Sequence, residues 1–257
     1  MAIIKVKPLA DIAVLYEDDN CVVLNKPAGL MVHSDGRNEG PFLTDWIEKH
    51  YPETMTVGET ARGLDGEPIA RGGIIHRLDR ETSGALIVAK TQAGFLSLKS
   101  QFQNHEIKKK YLAFVWGEIK ENFGTINRPI GRSKSDFRKW SSERGARGLM
   151  REAETYWTNV WVDKDPENNE KLTLIEAEPK TGRTHQIRVH FKAFGHPIVG
   201  DPLYAPNRPR ALSFARLALH SWKISFKDLN EKVVSIVAPL PKDFAHAVKE
   251  CGIKGIK

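Results

Sequence analysis

The chain has 257 residues, 40% apolar and 28% charged, which is enough to bury a sizeable core and excludes a disordered chain. Lys and Arg outnumber Asp and Glu by 39 to 32, and the net charge of +7 favours a polyanionic partner without demanding one. The only cysteines, Cys21 and Cys251, stand far apart, which excludes a disulfide framework or a cysteine-based metal knuckle and makes a reducing cytoplasm the expected compartment.

The N-terminal residues lack the apolar core of a signal peptide, and no run approaches the roughly 18 apolar residues of a membrane span, so no membrane partner is expected. The first elements read as strand, turn, strand across "IAVLYEDDNCVVLNKPAGLMVH", with the polar turn at residues 17–20 and a break at Pro27 and Gly29. Residues 34–73 are polar and glycine-rich, with a helix predicted around "FLTDWIEKHY"; the remainder suits a flap at the mouth of a site. "ALIVA" (85–89) predicts a buried strand. Thr91 then caps a helix whose Phe95, Leu98 and Phe102 share one face.

The run "IKKK" (107–110) leads into a strand at "YLAFVWGEI", which Tyr111 opens. Residues 128–151 carry eight basic side chains against two acidic ones, with Phe137 and Trp140 interleaved, and suit either a solvated loop or a nucleic-acid surface. "KLTLIEAEP" alternates as a half-buried strand should. In "KTGRTHQIRVHFKAFGHP" a turn precedes a helix for which Thr184 is the expected N-cap, Ile187, Phe191 and Phe194 the core row, and Gly195 the stop. Arg188 falls one position off that row, on the helix flank. Strands follow at "ALHSWKISF" and "KVVSIVAPL". Without regular strand–helix alternation, the chain reads as α+β with a mixed, largely antiparallel sheet.

Two segments could carry chemistry. In "HRLDRETSG" the carboxylate of Asp79 is either a structural ion-pair partner or a reactive group. In "TGRTHQIRVH" the guanidinium groups of Arg183 and Arg188 suit phosphates or a buried carboxylate. His185 and His190 lie five apart with no acidic or Cys ligand beside them, so no metal site is expected. Glu81, two residues from Asp79, gives no assurance of the facing carboxylate that a glycosidase needs.

Taken together, "HRLDRETSGALIVAK", "KKKYLAFVWG" and "EPKTGRTHQIRVHFKAFGHPIVGDPLYA" resemble the RluA-type family of RNA pseudouridine synthases, and the resemblance extends over residues 13–244. It implies the pseudouridine synthase fold, with helices and loops around an RNA-binding cleft, and no cofactor. It also implies that Asp79 is the catalytic aspartate, that Tyr111 packs on the target base, and that Arg188 pairs with Asp79. Arg77 matches the position that fills the gap left by a flipped nucleotide. His76, Arg183, His185 and Lys108, Lys109 and Lys110 are the accompanying RNA-binding candidates. The implied organisation is a short extension (1–12), one catalytic domain (13–245) and a tail (246–257), without the helical RNA-binding module that many relatives carry in front. The implied substrate is ribosomal or transfer RNA, with a monomer the simplest assembly. The competing expectation is an RNA-binding or assembly factor that kept the fold and lost catalysis.

Overall fold

A computed structural model describes residues 11–34, 40–59, 61–62, 68–69, 71–143, 146–166 and 168–256. Part of the expected flap therefore falls outside the described residues. The elements in chain order are β1 (Val14–Glu17), β2 (Cys21–Lys26), α1 (Leu43–His50), a 3-10 turn (Pro52–Thr56), β3 (Ala61–Arg62), β4 (Pro68–Ile69), β5 (Ser83–Ala89) and α2 (Gln92–Gln103). Then come β6 (Lys108–Trp116), β7 (Phe123–Asn127), β8 (Ile130–Arg132), β9 (Trp140–Ser141), β10 (Arg147–Arg151), β11 (Glu154–Lys164) and β12 (Lys171–Pro179). The chain closes with α3 (Gln186–Ala193), β13 (Leu219–Lys227), β14 (Val233–Val237) and α4 (Lys242–Glu250). The class is α+β, as expected. No helix among the described residues is long and apolar enough to cross a membrane.

Two compact units divide the chain, one of Met1–Ile107 with Ile224–Ala238, the other of Lys108–Lys223 with Pro239–Lys257. In the first, β1 and β2 form the expected hairpin, its turn closed by Asp18, whose Oδ1 accepts the N–H groups of Asn20 and Cys21 at 2.7 Å each. Strand β2 runs antiparallel to β5 from Cys21↔Ala89 to Lys26↔Gly84. Every residue of β5 is buried, as a continuous apolar run predicts for a strand covered on both faces. Thr91 caps α2 by accepting the Gly94 N–H, and Phe95 and Leu98 pack with Val23, Ile87 and Phe226.

The second unit is built on the antiparallel ladder β6-β12-β11-β7. Register places Tyr111, Ala177 and Trp157 in one row across three strands and therefore on one face. Trp157 packs on Phe191 and Phe194, so α3 covers that face. A bulge between Asn159 and Trp161 reverses the side-chain parity of β11. Trp161 consequently shares the opposite face with Phe114, where Phe244 of α4 packs. The basic segment is neither a bare loop nor a helix: it folds into the small antiparallel sheet β10-β8-β9. Ile130 pins that sheet to Ala153, Val189 and Tyr204, with Trp140 against the cluster.

One expectation for α3 is corrected. Its N-cap is His185, in the left-handed region at φ 56°, rather than Thr184, and no side chain caps it. The reason is the next residue: Gln186 Oε1 accepts the Arg183 N–H at 2.9 Å and the Thr181 hydroxyl at 2.7 Å, which closes the turn without a cap. Arg188, off the core row, is enclosed all the same. It is 5% exposed, because α3 is covered by the sheet on one side and by the Ile130–Tyr204 cluster on another, and Gln186 to Phe191 are all buried. Helix α4 runs across the position between residues 245 and 246 where the tail was expected to begin.

Backbone approach combined with positive φ makes Gly73 and Gly200 obligatory. A Cβ on Gly73 (φ +69°) would stand 1.9 Å from the Ala89 carbonyl oxygen, and one on Gly200 (φ +70°) 2.1 Å from that of Arg216. Both precede segments treated below. Gly200→Ala combines a backbone clash with a disfavoured φ, so its melting temperature should fall by at least about 5 °C. Gly182→Ala, whose Cβ would meet nothing within 4 Å, is the control and should leave melting nearly unchanged.

Candidate active site

In the first unit, Asp79 sits half-buried in the segment leading into β5, between buried Leu78 and exposed Arg80. The segment is fixed by its backbone. Ile74 bridges Val88, and the Asp79 carbonyl accepts the Thr82 N–H at 3.1 Å. Lys26 does most to hold it. The Lys26 side chain is fully buried, and its ammonium donates to the carbonyls of Pro27 (2.8 Å), Leu30 (2.7 Å) and Arg80 (3.1 Å). Three donors meeting three carbonyls satisfy a buried ammonium and lock the 26–30 turn onto the residue beside Asp79. Sequence reasoning missed Lys26; the only signal was a lysine ending an apolar strand.

His76, expected to touch RNA, has Nε2 committed as the acceptor of the Ile87 N–H at 3.0 Å, and its ring packs on Phe102. The neutral ring with Nδ1 protonated is the form this bond selects. Arg77 is exposed.

In the second unit, Tyr111 is 8% exposed on the β6 face that α3 covers. The three lysines before it have three different environments. Lys108 is exposed, and Lys110 pairs with Glu176 at 2.6 Å. Lys109, two residues from Tyr111 and hence on its face, is 9% exposed; burial pushes its ammonium down to about 8. Lys109 is thus the least solvated of the three lysines.

On α3, Arg188 forms a two-bond fork with Asp201, Nε to Oδ2 at 2.8 Å and Nη2 to Oδ1 at 2.9 Å. The fork uses two of the five guanidinium N–H donors. Asp201 is fully buried as a side chain, and its Oδ1 also accepts the backbone N–H groups of Leu203 and Tyr204. Asp201 was not foreseen, because thirteen residues and a turn separate it from its partner. Removing one member of such a pair strands a buried charge, at a cost of about 3–5 kcal/mol. Arg183 donates from Nε to the Glu152 carbonyl at 2.9 Å, and His185 Nδ1 lies 2.9 Å from the Tyr204 hydroxyl. The structure therefore gathers Tyr111, Lys109, Arg183, His185 and Arg188 within the second unit, while His76, Arg77 and Asp79 belong to the first.

Gln186 is a second unforeseen anchor: its Nε2 donates to the Glu154 carbonyl and to Thr155 Oγ1. Thr155 in turn meets His190 Nδ1 at 2.9 Å, and His190 Nε2 lies 3.0 Å from the Arg128 carbonyl. A carbonyl only accepts, so Nε2 carries the proton and Nδ1 accepts from Thr155. Both ring nitrogens of His190 are committed, which leaves neither for a metal.

Burial lowers the basicity of His190. The folded protein therefore binds fewer protons there than the unfolded chain, whose imidazole titrates near 6.5. Stability should fall as pH drops through about 6.5 and go on falling until the lower folded-state value is passed. His190→Gln should flatten the slope of melting temperature against pH between about 7.5 and 5 relative to the wild type. An unchanged slope would count against a neutral, buried His190.

Comparison with known proteins now bears on what this arrangement serves. The family model described as RNA pseudouridylate synthase matches residues 20–193. An uncharacterised RNA pseudouridine synthase of Bacillus subtilis is 35% identical over 240 residues, covering 93% of this chain and 72% of that protein. Ribosomal large subunit pseudouridine synthase D of Zymomonas mobilis is 34% identical over 237 residues, covering 90% and 69%. Among curated relatives the chain spans roughly two thirds of their length, 66% in the case of a Synechocystis protein 34% identical to it. Of solved structures, human RNA pseudouridylate synthase domain containing 1 is similar with a TM-score of 0.70 and 26% identity, over 92% of this chain and 87% of that one. Human RNA pseudouridylate synthase domain containing 4 gives 0.69 and 25%, over 95% and 94%. With its α+β fold, its matched span and these relatives, the chain belongs to the RNA pseudouridylate synthase family.

Proposed function

We propose that this protein isomerises uridine to pseudouridine in structured RNA, with Asp79 as the essential carboxylate. The family match over residues 20–193, which spans Asp79, Tyr111 and Arg188, is the observation that carries this reading. The reaction breaks the bond between uracil N1 and ribose C1′ and forms one between C5 and C1′; the C5 proton leaves and N1 gains one. Nothing is oxidised and no group donor is consumed. The carboxylate acts as a nucleophile, toward C1′ or toward base carbon 6, or as a base toward the 2′ proton. Each of these roles needs an ionised, fixed Asp79, and the Lys26-anchored segment supports the fixing. Arg188 would keep Asp79 ionised, and Tyr111 would offer an aromatic face to a base that has lost its stacking neighbours, worth about 1–3 kcal/mol.

A uridine stacked in a helix is out of reach, so the target is flipped or lies in a loop. Exposed Arg77 suits the vacated position. Lys108, Lys134, Arg147 and Arg151 are exposed and suit the phosphate backbone. Ribosomal large-subunit RNA is the first substrate class to test, because relatives bear that name, with transfer RNA second. We place the enzyme in the cytoplasm, acting as a monomer.

Uridines tritiated at C5, in ribosomal and transfer RNA from cells lacking this gene, provide the assay. Wild type should release tritium and Asp79→Asn should release none, and the RNA fraction that responds identifies the substrate class. Binding without release from any fraction would instead indicate a factor that binds RNA without modifying it.

RNA affinity should fall at least about tenfold between 50 and 200 mM salt. Arg147→Ala with Arg151→Ala should reduce the log–log salt slope by about 1–2. A slope that the double variant leaves unchanged would remove the small basic sheet from the RNA interface.

A further inference from the structure

Around Arg188 runs a chain of contacts that the proposed chemistry leaves unused. The Arg132 guanidinium of β8 lies over the Trp140 indole, 4.3 Å from the ring centre. The Trp140 backbone N–H donates to the Tyr204 hydroxyl at 3.0 Å, and that hydroxyl stands 2.9 Å from His185 Nδ1. The Tyr204 ring lies under the guanidinium of Arg188, 5.0 Å from its carbon. The Tyr204 backbone N–H donates at 3.0 Å to Asp201 Oδ1, the same oxygen that accepts from Arg188. Tyr204 thus meets Arg188 twice, once by its ring and once through the shared carboxylate.

A core aromatic would need no hydroxyl here. Tyr204 is 7% exposed and packs on Ile130, Ala153 and Val189, a role phenylalanine would fill as well. The hydroxyl accepts from the Trp140 N–H and stands within hydrogen-bond distance of His185 Nδ1, so it joins the two. His185 is held at φ 56°, a conformation that costs about 1–3 kcal/mol and persists where surrounding contacts over-determine it. Removing the hydroxyl leaves the packing and cuts the polar ties that Tyr204 makes to Trp140 and His185.

We propose that Tyr204 is a positioning residue for the reaction, through which the small basic sheet β10-β8-β9 sets the plane of the Arg188 guanidinium. RNA phosphates seated on that sheet would then steady Arg188 as well as hold the substrate. The inference rests on the roles proposed above for Arg188 and the basic sheet. A planar fork tolerates little tilt, so a small loosening at Tyr204 is felt where Arg188 must be aligned.

Tyr204→Phe tests it, with RNA saturating and a single turnover followed. The rate should drop about tenfold while RNA affinity changes less than about twofold and melting stays within a few degrees. An unchanged rate, or a rate loss matched by an equal affinity loss, would overturn the proposal. Should Tyr204→Phe fold poorly, Trp140→Ala loosens the sheet with Tyr204 in place and should lower the single-turnover rate at saturating RNA, whatever it does to affinity; an unchanged saturated rate would overturn the proposal. A second readout needs no activity: the Nε–H resonance of Arg188, identified by its loss in Arg188→Lys, should shift and exchange faster in Tyr204→Phe. An identical resonance in both proteins would overturn the link between Tyr204 and Arg188. A wild type inactive on every RNA would instead overturn the enzymatic reading and leave the resonance to decide this one.

Discussion

Arg188 and Asp201 are both withdrawn from water, and their fork is the constraint on which the helical face of the second unit depends. Separating either charge from the other inside the protein is far more costly than exposing both, so the pair holds α3 and the turn after Gly200 in one relation. Gly200 makes this possible by letting the backbone pass close to Arg216 immediately before Asp201. The carboxylate then also accepts two backbone N–H groups, which ends any freedom it had to swing. A guanidinium held in this way is a fixed cation whose orientation needs no reorganisation.

The first unit fixes its key residue by related means. There the buried charge is the ammonium of Lys26, which donates to three backbone carbonyls. The ammonium draws the 26–30 turn and the Arg80 carbonyl together, while His76 ties the same segment to β5 through the Ile87 N–H. Asp79 is consequently carried by a stretch whose backbone bonds are made before any substrate arrives. In both units the residue proposed for chemistry is held by buried charges and backbone hydrogen bonds.

Legibility in the sequence differed by type of residue. Strand β5, a continuous apolar run, and the capped helix α2 were readable because local pattern and burial agree there. Strand β11 was not, since its polar and aromatic residues alternate irregularly across a bulge that reverses their faces. The basic segment gave a charge signal but no periodicity, and its short strands are stabilised by Ile130 and Trp140 docking on distant residues. Thr184 looked like a cap because capping is a local rule, and Gln186 overrode it with bonds to Arg183 and Thr181. Lys109 looked like its neighbours in "KKK", yet strand alternation buries it beside Tyr111.

By itself the sequence determined the α+β class, most element positions and the family, because motifs such as "HRLD", "KKKY" and "HQIR" are local strings whose order survives without coordinates. Tertiary structure alone decided which charges are paired and which are buried: Arg188 with Asp201, Lys26 with three carbonyls, His190 with Thr155 and Arg128. The physical reason is that the environment of a charge is made by residues far off in the chain. A side chain's type is written at its own position, but its solvation and partners are properties of the packing.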